Sequence, residues 1–380
     1  MTQPTARRVY FENLNAIRFF AAFLVIVTHV EQLKGTLKLP NRWADPCIGL
    51  LGELGVILFF ALSGFLISYL LFVEQQVTND ISIKYFYIRR ILRIWPLYFF
   101  VIALSLFVLP FVPLFTWPDF DRATVWYDLG YKIVLYILIL PNLVLTSVGI
   151  VPYAFQTWSI GAEEQFYLVW PLLVKKVKNK WWLMWSVIII YIGVKFLNPL
   201  LLPSGNAATI FNNFWNTTPI DCMAIGGCFA LLIFENNAFT NKIKTFIFQK
   251  SLQWFVLILS IVCILNGVKI PYFNYEYYAL LFSILIVNFA ANEQRIFSME
   301  HRLSNYLGNI SYGLYMYHPI AIVLSIRILQ YLNLYFDVLL YPISLLVAIV
   351  MASVSYHYFE KYFIDKKEQY TKVLSGKSKC

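Results

Sequence analysis

Arg18 and His29 stand eleven residues apart in an apolar run long enough to cross a bilayer. At 1.5 Å per residue that is about 16 Å and close to three helical turns, so the two side chains share one face at different depths. A neutral imidazole titrates near working pH and can take a proton from a hydroxyl, which makes His29 a candidate general base. The alternative is a hydrogen-bonded packing histidine. A guanidinium at Arg18 either snorkels to the nearer end of the span or faces a cavity or a partner. Ser159, Glu163 and Tyr167 recur at i, i+4 and i+8, which puts a hydroxyl, a carboxylate and a phenol in one helical stripe, with Glu164 on another side. Matching of acids to a helix N-terminus would also account for the pair. Arg90 and Arg93, with Lys84 and Arg89, form a basic step whose guanidinium forks suit phosphate groups, although such a step also serves as a topology signal. His318 shares the ambiguity of His29. Glu31 is expected to be solvated, and His301 and His357 to be structural or solvated.

These residues sit in a chain whose solvent is lipid. Of 380 residues, 60% are hydrophobic and 13% charged, against about 45–50% and 25% in soluble domains. Apolar runs are expected at 14 to 34, 49 to 73, 91 to 111, 129 to 149, 156 to 174, 181 to 201, 216 to 234, 251 to 269, 277 to 292, 306 to 329 and 336 to 362. The basic clusters after the second, fifth and seventh runs belong on the cytoplasmic face, together with Arg7 and Arg8. That requirement is met if 129 to 149, with Pro141 and Asn142, does not cross. The expectation is therefore an all-α, polytopic transmembrane bundle in the cell membrane, with about ten crossing helices, one re-entrant or interfacial element and both termini cytoplasmic.

The formal charge of +10 is dispersed in short clusters between spans, which argues against nucleic acid. Cys47, Cys222, Cys228, Cys263 and Cys380 show no metal-type spacing, so no metal site is expected. No G-x-S-x-G, H-E-x-x-H, Walker or dinucleotide fingerprint occurs. The loops are too short for a separate soluble domain, so chemistry falls to side chains inside or at the rim of one domain over 1–380, with its core at 12–363 and a cytoplasmic tail at 364–380.

Five motifs in order carry a family resemblance. Arg18 with His29 resembles the arginine, ten residues, histidine signature of the membrane-bound acyltransferase-3 family. Gly55-Val56-x-x-Phe59-Phe60-x-Leu62-Ser63-Gly64-Phe65-Leu66-Ile67 is similar to its second span, and Arg90-x-x-Arg93-Ile94-x-Pro96-x-Tyr98 to its basic step. Trp158-Ser159-Ile160-x-x-Glu163-x-Gln165-Phe166-Tyr167-Leu168-x-x-Pro171 and Gly308-x-Ile310-Ser311-Tyr312-x-x-Tyr315-x-x-His318 complete the set. Met316 and Tyr362 depart from the usual pattern. Asp221 matches an acidic position of the family, although Pro219 stands where an arginine is expected.

The resemblance implies transfer of an acyl group, most often acetyl from acetyl-coenzyme A, to a hydroxyl of a cell-surface or exported carbohydrate. It implies no tightly bound cofactor, acyl-CoA being the donor substrate. Arg18, Arg90 and Arg93 would bind the donor; His29, Glu163 and His318 would be catalytic; Ser63, Gly64, Trp158, Ser159, Tyr167, Ser311 and Tyr312 would support them. A transporter or flippase using the same buried charges for binding is the rival reading. Neither the acceptor nor the oligomeric state can be read from the residues.

Overall fold

The computed structural model describes residues 8–201, 205–334 and 337–375; Arg7 and Cys380 lie outside them. A short strand β1 (Arg8–Val9) leads into α1 (Leu14–Thr36), α2 (Pro46–Thr78) and α3 (Ile83–Phe107). Three short helices follow, α4 (Arg122–Trp126), α5 (Leu129–Ile137) and α6 (Pro141–Ser147), and then α7 (Trp158–Lys176) and α8 (Lys180–Leu201). The second half runs through α9 (Asn206–Asn216), α10 (Ile220–Phe234), α11 (Ala238–Ile247), α12 (Lys250–Leu265), α13 (Asn274–Ala291) and α14 (Arg302–Asn309). It closes with α15 (Ser311–Tyr331), α16 (Asp337–Ser355), a π-helical turn over Tyr356–Glu360, α17 (Lys361–Lys367) and strand β2 (Leu374–Ser375).

Helices prevail because lipid offers a backbone no hydrogen bonds, so each span must satisfy its own N–H and C=O groups. Among the described residues, seven helical segments are long and apolar enough to cross, or eight if α11 and α12, bent by 62° at their break, form one span. Helices α7 and α13 reach span length at 19 and 18 residues. The first holds Glu163, Glu164, Lys175 and Lys176, and the second opens on Asn274 and Glu276, so neither is as apolar as the others. The stretch 129 to 149 is broken: α5 and α6 have 9 and 7 residues, about 14 and 10 Å, far short of a roughly 30 Å hydrocarbon core.

Strands β1 and β2 pair in parallel, Arg8 opposite Leu374 and Val9 opposite Ser375. The two described ends of the chain therefore lie on one face of the bundle, which requires an even number of crossings.

The centre of the bundle is α1, α2, α10 and α15. Helices α2 and α10 meet backbone to backbone: a Cβ on Gly64 would stand 1.9 Å from the Met223 carbonyl oxygen, and one on Gly226 would stand 2.0 Å from that of Ala61. Small residues at matched positions allow this approach, which is how helices gain contact area in a lipid solvent.

Glu31 departs from expectation. It is buried on α1 and accepts from Lys34 Nζ at 3.0 Å, the Arg42 backbone N–H at 2.5 Å and the Tyr341 hydroxyl at 2.5 Å. A carboxylate is tolerated there because every donor it loses from water is replaced.

The α2–α10 contact yields a test. Gly64→Ala should lower thermal stability of the detergent-purified chain by about 2 kcal/mol or more, since backbone rather than a side chain must yield. Fluorescence-detected size-exclusion after heating reads this directly, and an unshifted midpoint would contradict the close approach.

Candidate active site

A cavity of about 630 Å³ opens between α1, α2, α3, α7, α15 and α17. The sequence motifs converge on it, for Arg18, Ser63, Arg90, Arg93, Ser159, Glu163, Tyr167, Ser311 and Tyr312 all line its wall. Two supporting residues do not. Gly64 serves the α2–α10 contact, and Trp158 sets its ring edge-on against Phe60 at 6.4 Å. The stripe on α7 faces Ser63, whose hydroxyl lies 2.5 Å from Glu163 Oε1; the Tyr167 phenol touches both groups. Carboxylate, phenol and hydroxyl thus share one hydrogen-bonded node across the α2–α7 contact.

The arginines lie together toward the end of the cavity near the paired strands β1 and β2. Arg90 stacks over Tyr167 at 5.7 Å and Phe86 at 5.8 Å, Arg93 over Tyr312 at 6.0 Å, and Arg18 reaches Asn15 Oδ1 at 2.9 Å. None of the three forms a salt bridge among the described residues. Arg89 is different: it binds Glu74 at 3.1 Å and the Tyr370 carbonyl at 2.8 Å, so its charge is spent on the fold. Three cations without carboxylate partners in a half-buried cavity favour an anionic occupant.

His29 and His318 come together although 289 positions separate them, with ring centroids 4.7 Å apart. His29 Nδ1 lies 2.8 Å from the Val25 carbonyl and His318 Nδ1 2.6 Å from the Tyr315 carbonyl. A carbonyl can only accept, so each Nδ1 carries the proton and each neutral ring presents a bare Nε2. Helix chemistry helps at the second site. Pro319 has no N–H with which to occupy the carbonyl four residues back, and that carbonyl belongs to Tyr315. His318 Nε2 is buried and makes no hydrogen bond.

Neither imidazole lines the cavity. Between them and it stand Ser159 and Tyr315, hydroxyls 2.6 Å apart, with the Tyr315 ring 5.7 Å from that of His318. Glu163 makes no hydrogen bond to either histidine; its partners are Ser63 and Tyr167.

Several contributors were given no role in the sequence reading. Tyr315 lies one turn before His318, a spacing that could have pointed to it. Glu164 turns away from Glu163 and accepts from Trp95 Nε1 at 2.9 Å, leaving Oε1 without a partner. Lys361, Lys367 and Thr371 also line the cavity, and no motif led to the last two. Asp221 is buried away from the cavity beside Glu276, which Lys195 holds at 2.8 Å. No group of three or more His, Cys, Asp or Glu side chains placed to hold a metal occurs among the described residues.

A family model described as an acyltransferase domain matches residues 11–356. The chain belongs to the acyltransferase-3 family. It is 25% identical over 368 residues to the O-acetyltransferase OatA of Staphylococcus aureus (strain NCTC 8325 / PS 47), covering 92% of this chain and 57% of that protein. It is 23% identical over 350 residues to the peptidoglycan O-acetyltransferase OatA of Listeria monocytogenes, covering 85% and 51%. It is 24% identical over 391 residues to YrhL of Bacillus subtilis (strain 168), whose name marks it as a candidate peptidoglycan O-acetyltransferase, covering 95% and 56%. The chain thus spans little more than half the length of these relatives. No solved structure matches it.

The half-buried Trp95–Glu164 pair can be tested in isolation from chemistry. Trp95→Phe removes the donor and should cost about 1–3 kcal/mol, whereas Trp95→Phe combined with Glu164→Leu should recover most of it, because both polar partners are then gone. A double-mutant cycle on thermal midpoints checks the coupling; additive losses would contradict it.

Proposed function

We propose that this chain is an integral membrane O-acyltransferase that takes acetyl from acetyl-coenzyme A on the cytoplasmic side and places it on a hydroxyl of a cell-surface glycan, with peptidoglycan the favoured acceptor. The observation that carries this reading is a single cavity with three unpaired arginines at one end and, past Tyr315, a pair of imidazoles with free Nε2 atoms. The names of the relatives favour acetyl and peptidoglycan.

In this mechanism Arg90 and Arg93 bind donor phosphates through bidentate guanidinium contacts, and Arg18, deeper on α1, steers the pantetheine arm. The thioester passes Ser159 and Tyr315 to reach the histidines. His29 Nε2 takes the proton of the sugar hydroxyl while its oxygen bonds to the thioester carbonyl carbon. As the tetrahedral centre collapses, the C–S bond breaks and the thiolate leaves with the proton that His29 returns. The Val25 carbonyl holds the imidazole in the tautomer this step needs. His318 stands beside the reacting ring as its second imidazole. The Ser63–Glu163–Tyr167 node braces the wall on which Arg90 rests. Both termini face the cytoplasm, where the donor is made.

Two variants divide the roles. His29→Ala should retain coenzyme A binding and lose transfer of radiolabelled acetyl into the glycan fraction by a factor of about 10² or more, in line with loss of a general base. Arg93→Ala should weaken coenzyme A binding by roughly tenfold or more and steepen no salt dependence, since a phosphate contact is gone. Full transfer by His29→Ala at equal protein level would defeat the mechanism; coenzyme A bound with no acyl product on any glycan would favour a transporter.

A further inference from the structure

A second cavity, of about 230 Å³, lies at the end of α3 opposite the arginines. Its wall is the segment between α3 and α4, folded into two 3-10 turns at Leu109–Phe111 and Pro113–Phe115, with Tyr153 on the far side. Phe115, Trp117, Phe120 and Tyr153 line it and pack edge to face on one another: Trp117 lies 5.3 Å from Tyr153 and 5.6 Å from Phe120. Tyr153 is held by the Phe115 carbonyl at 2.6 Å, and Arg327 of α15 reaches the Thr116 carbonyl at 3.3 Å. The cavity is built rather than incidental.

Two buried polar groups on this wall are unspent. Ser105 Oγ, 1% exposed, has no hydrogen-bond partner, and Trp117 Nε1, though near the Tyr153 hydroxyl, makes no hydrogen bond either. An aliphatic occupant would leave both unpaired at about 1–3 kcal/mol each, while a ring studded with hydroxyls can meet them and lay its C–H face on the aromatics. Asp121 and Arg122 at the same cavity carry opposite charges, so nothing here selects an ion, in contrast to the arginine-lined cavity. The position completes the case: Trp117 is 6.2 Å from the Phe155 ring, and Phe155 is 5.3 Å from the His29 ring. The histidine pair thus lies between the two cavities, with Tyr315 toward one and Phe155 toward the other.

We propose that this outer cavity is an acceptor subsite that holds an uncharged sugar unit of the glycan chain next to the one being acylated. The proposal rests on the acyl-transfer reading for its meaning, and its test separates the two. A tetramer of N-acetylglucosamine carrying a diazirine is irradiated with the full chain in nanodiscs, and labelled peptides are mapped by mass spectrometry. Label is expected between residues 105 and 125 or at 152–153, competed by unmodified tetramer and reduced in Trp117→Phe and Ser105→Ala. Acetyl transfer to the same tetramer should show KM raised ~5-fold in each variant, the equivalent of one lost hydrogen bond, with kcat and coenzyme A binding unchanged.

Trp117→Phe keeps the ring and Ser105→Ala is a small change, so coenzyme A binding at native strength certifies that each variant is folded. Labelling elsewhere, no labelling, or KM unchanged in both variants overturns the subsite. Labelling at the cavity without any acetyl transfer would leave the subsite standing and remove the acyl-transfer reading instead.

Discussion

Positive charge without a counter-charge is the condition around which this bundle is arranged. A guanidinium at the depth of Arg18 is tolerable only where water, a partner or a ligand can reach it. Among the described residues no carboxylate forms an ion pair with Arg18, Arg90 or Arg93, whereas Arg89, Lys34 and Lys195 each have one. The difference is not scarcity of acids. Glu163 lies in the same cavity and is taken up by Ser63 and Tyr167, while Glu164 is turned onto Trp95. Aromatic faces stand in for carboxylates beside Arg90 and Arg93, and they leave the forked N–H donors free where an ion pair would occupy them. The forks are thereby left available to the phosphates of the proposed donor.

The scaffold that holds this charge is stiff where stiffness matters. Gly64 and Gly226 let α2 and α10 touch through their backbones, and α2 carries Ser63 next to that contact. A side chain cannot drift when the helix bearing it is locked one residue away. On the opposite face, the parallel pairing of β1 with β2 and the bond from Arg89 to the Tyr370 carbonyl tie the end of the chain across the cavity. Lys367 is brought to the arginines by that tie, beyond the residues the family model matches.

What the sequence made legible was local. Arg18 and His29 share a face because eleven residues make three turns, and Ser159, Glu163 and Tyr167 share a stripe of α7 because their spacing is four. The charge clusters marked 129 to 149 as a segment that does not cross, and the chain breaks there between α5 and α6. Partners distant in the chain were not legible. Nothing in a linear pattern says that His318 lies against His29, that Tyr315 and Ser159 separate both from the cavity, or that Glu31 finds Tyr341 on α16. The outer cavity was invisible for another reason: most of its wall lies between the expected apolar runs 91 to 111 and 129 to 149, where none of the five motifs falls.

The two histidines show how backbone chemistry tunes a side chain at no cost in charge. Both rings are pinned through Nδ1 by a carbonyl of their own helix, so both expose the nitrogen that can accept a proton. At His29 the Val25 carbonyl already receives the helical N–H of His29 and lends its second lone pair. At His318 the following residue is proline, and the carbonyl that its missing N–H would have used is the one the imidazole takes. A carboxylate in either place would hold the ring as firmly and would also favour the imidazolium, which cannot act as a base. Neutral carbonyls orient each ring with Nε2 turned away from its own helix and add no counter-charge, which is the arrangement the proposed proton transfer requires.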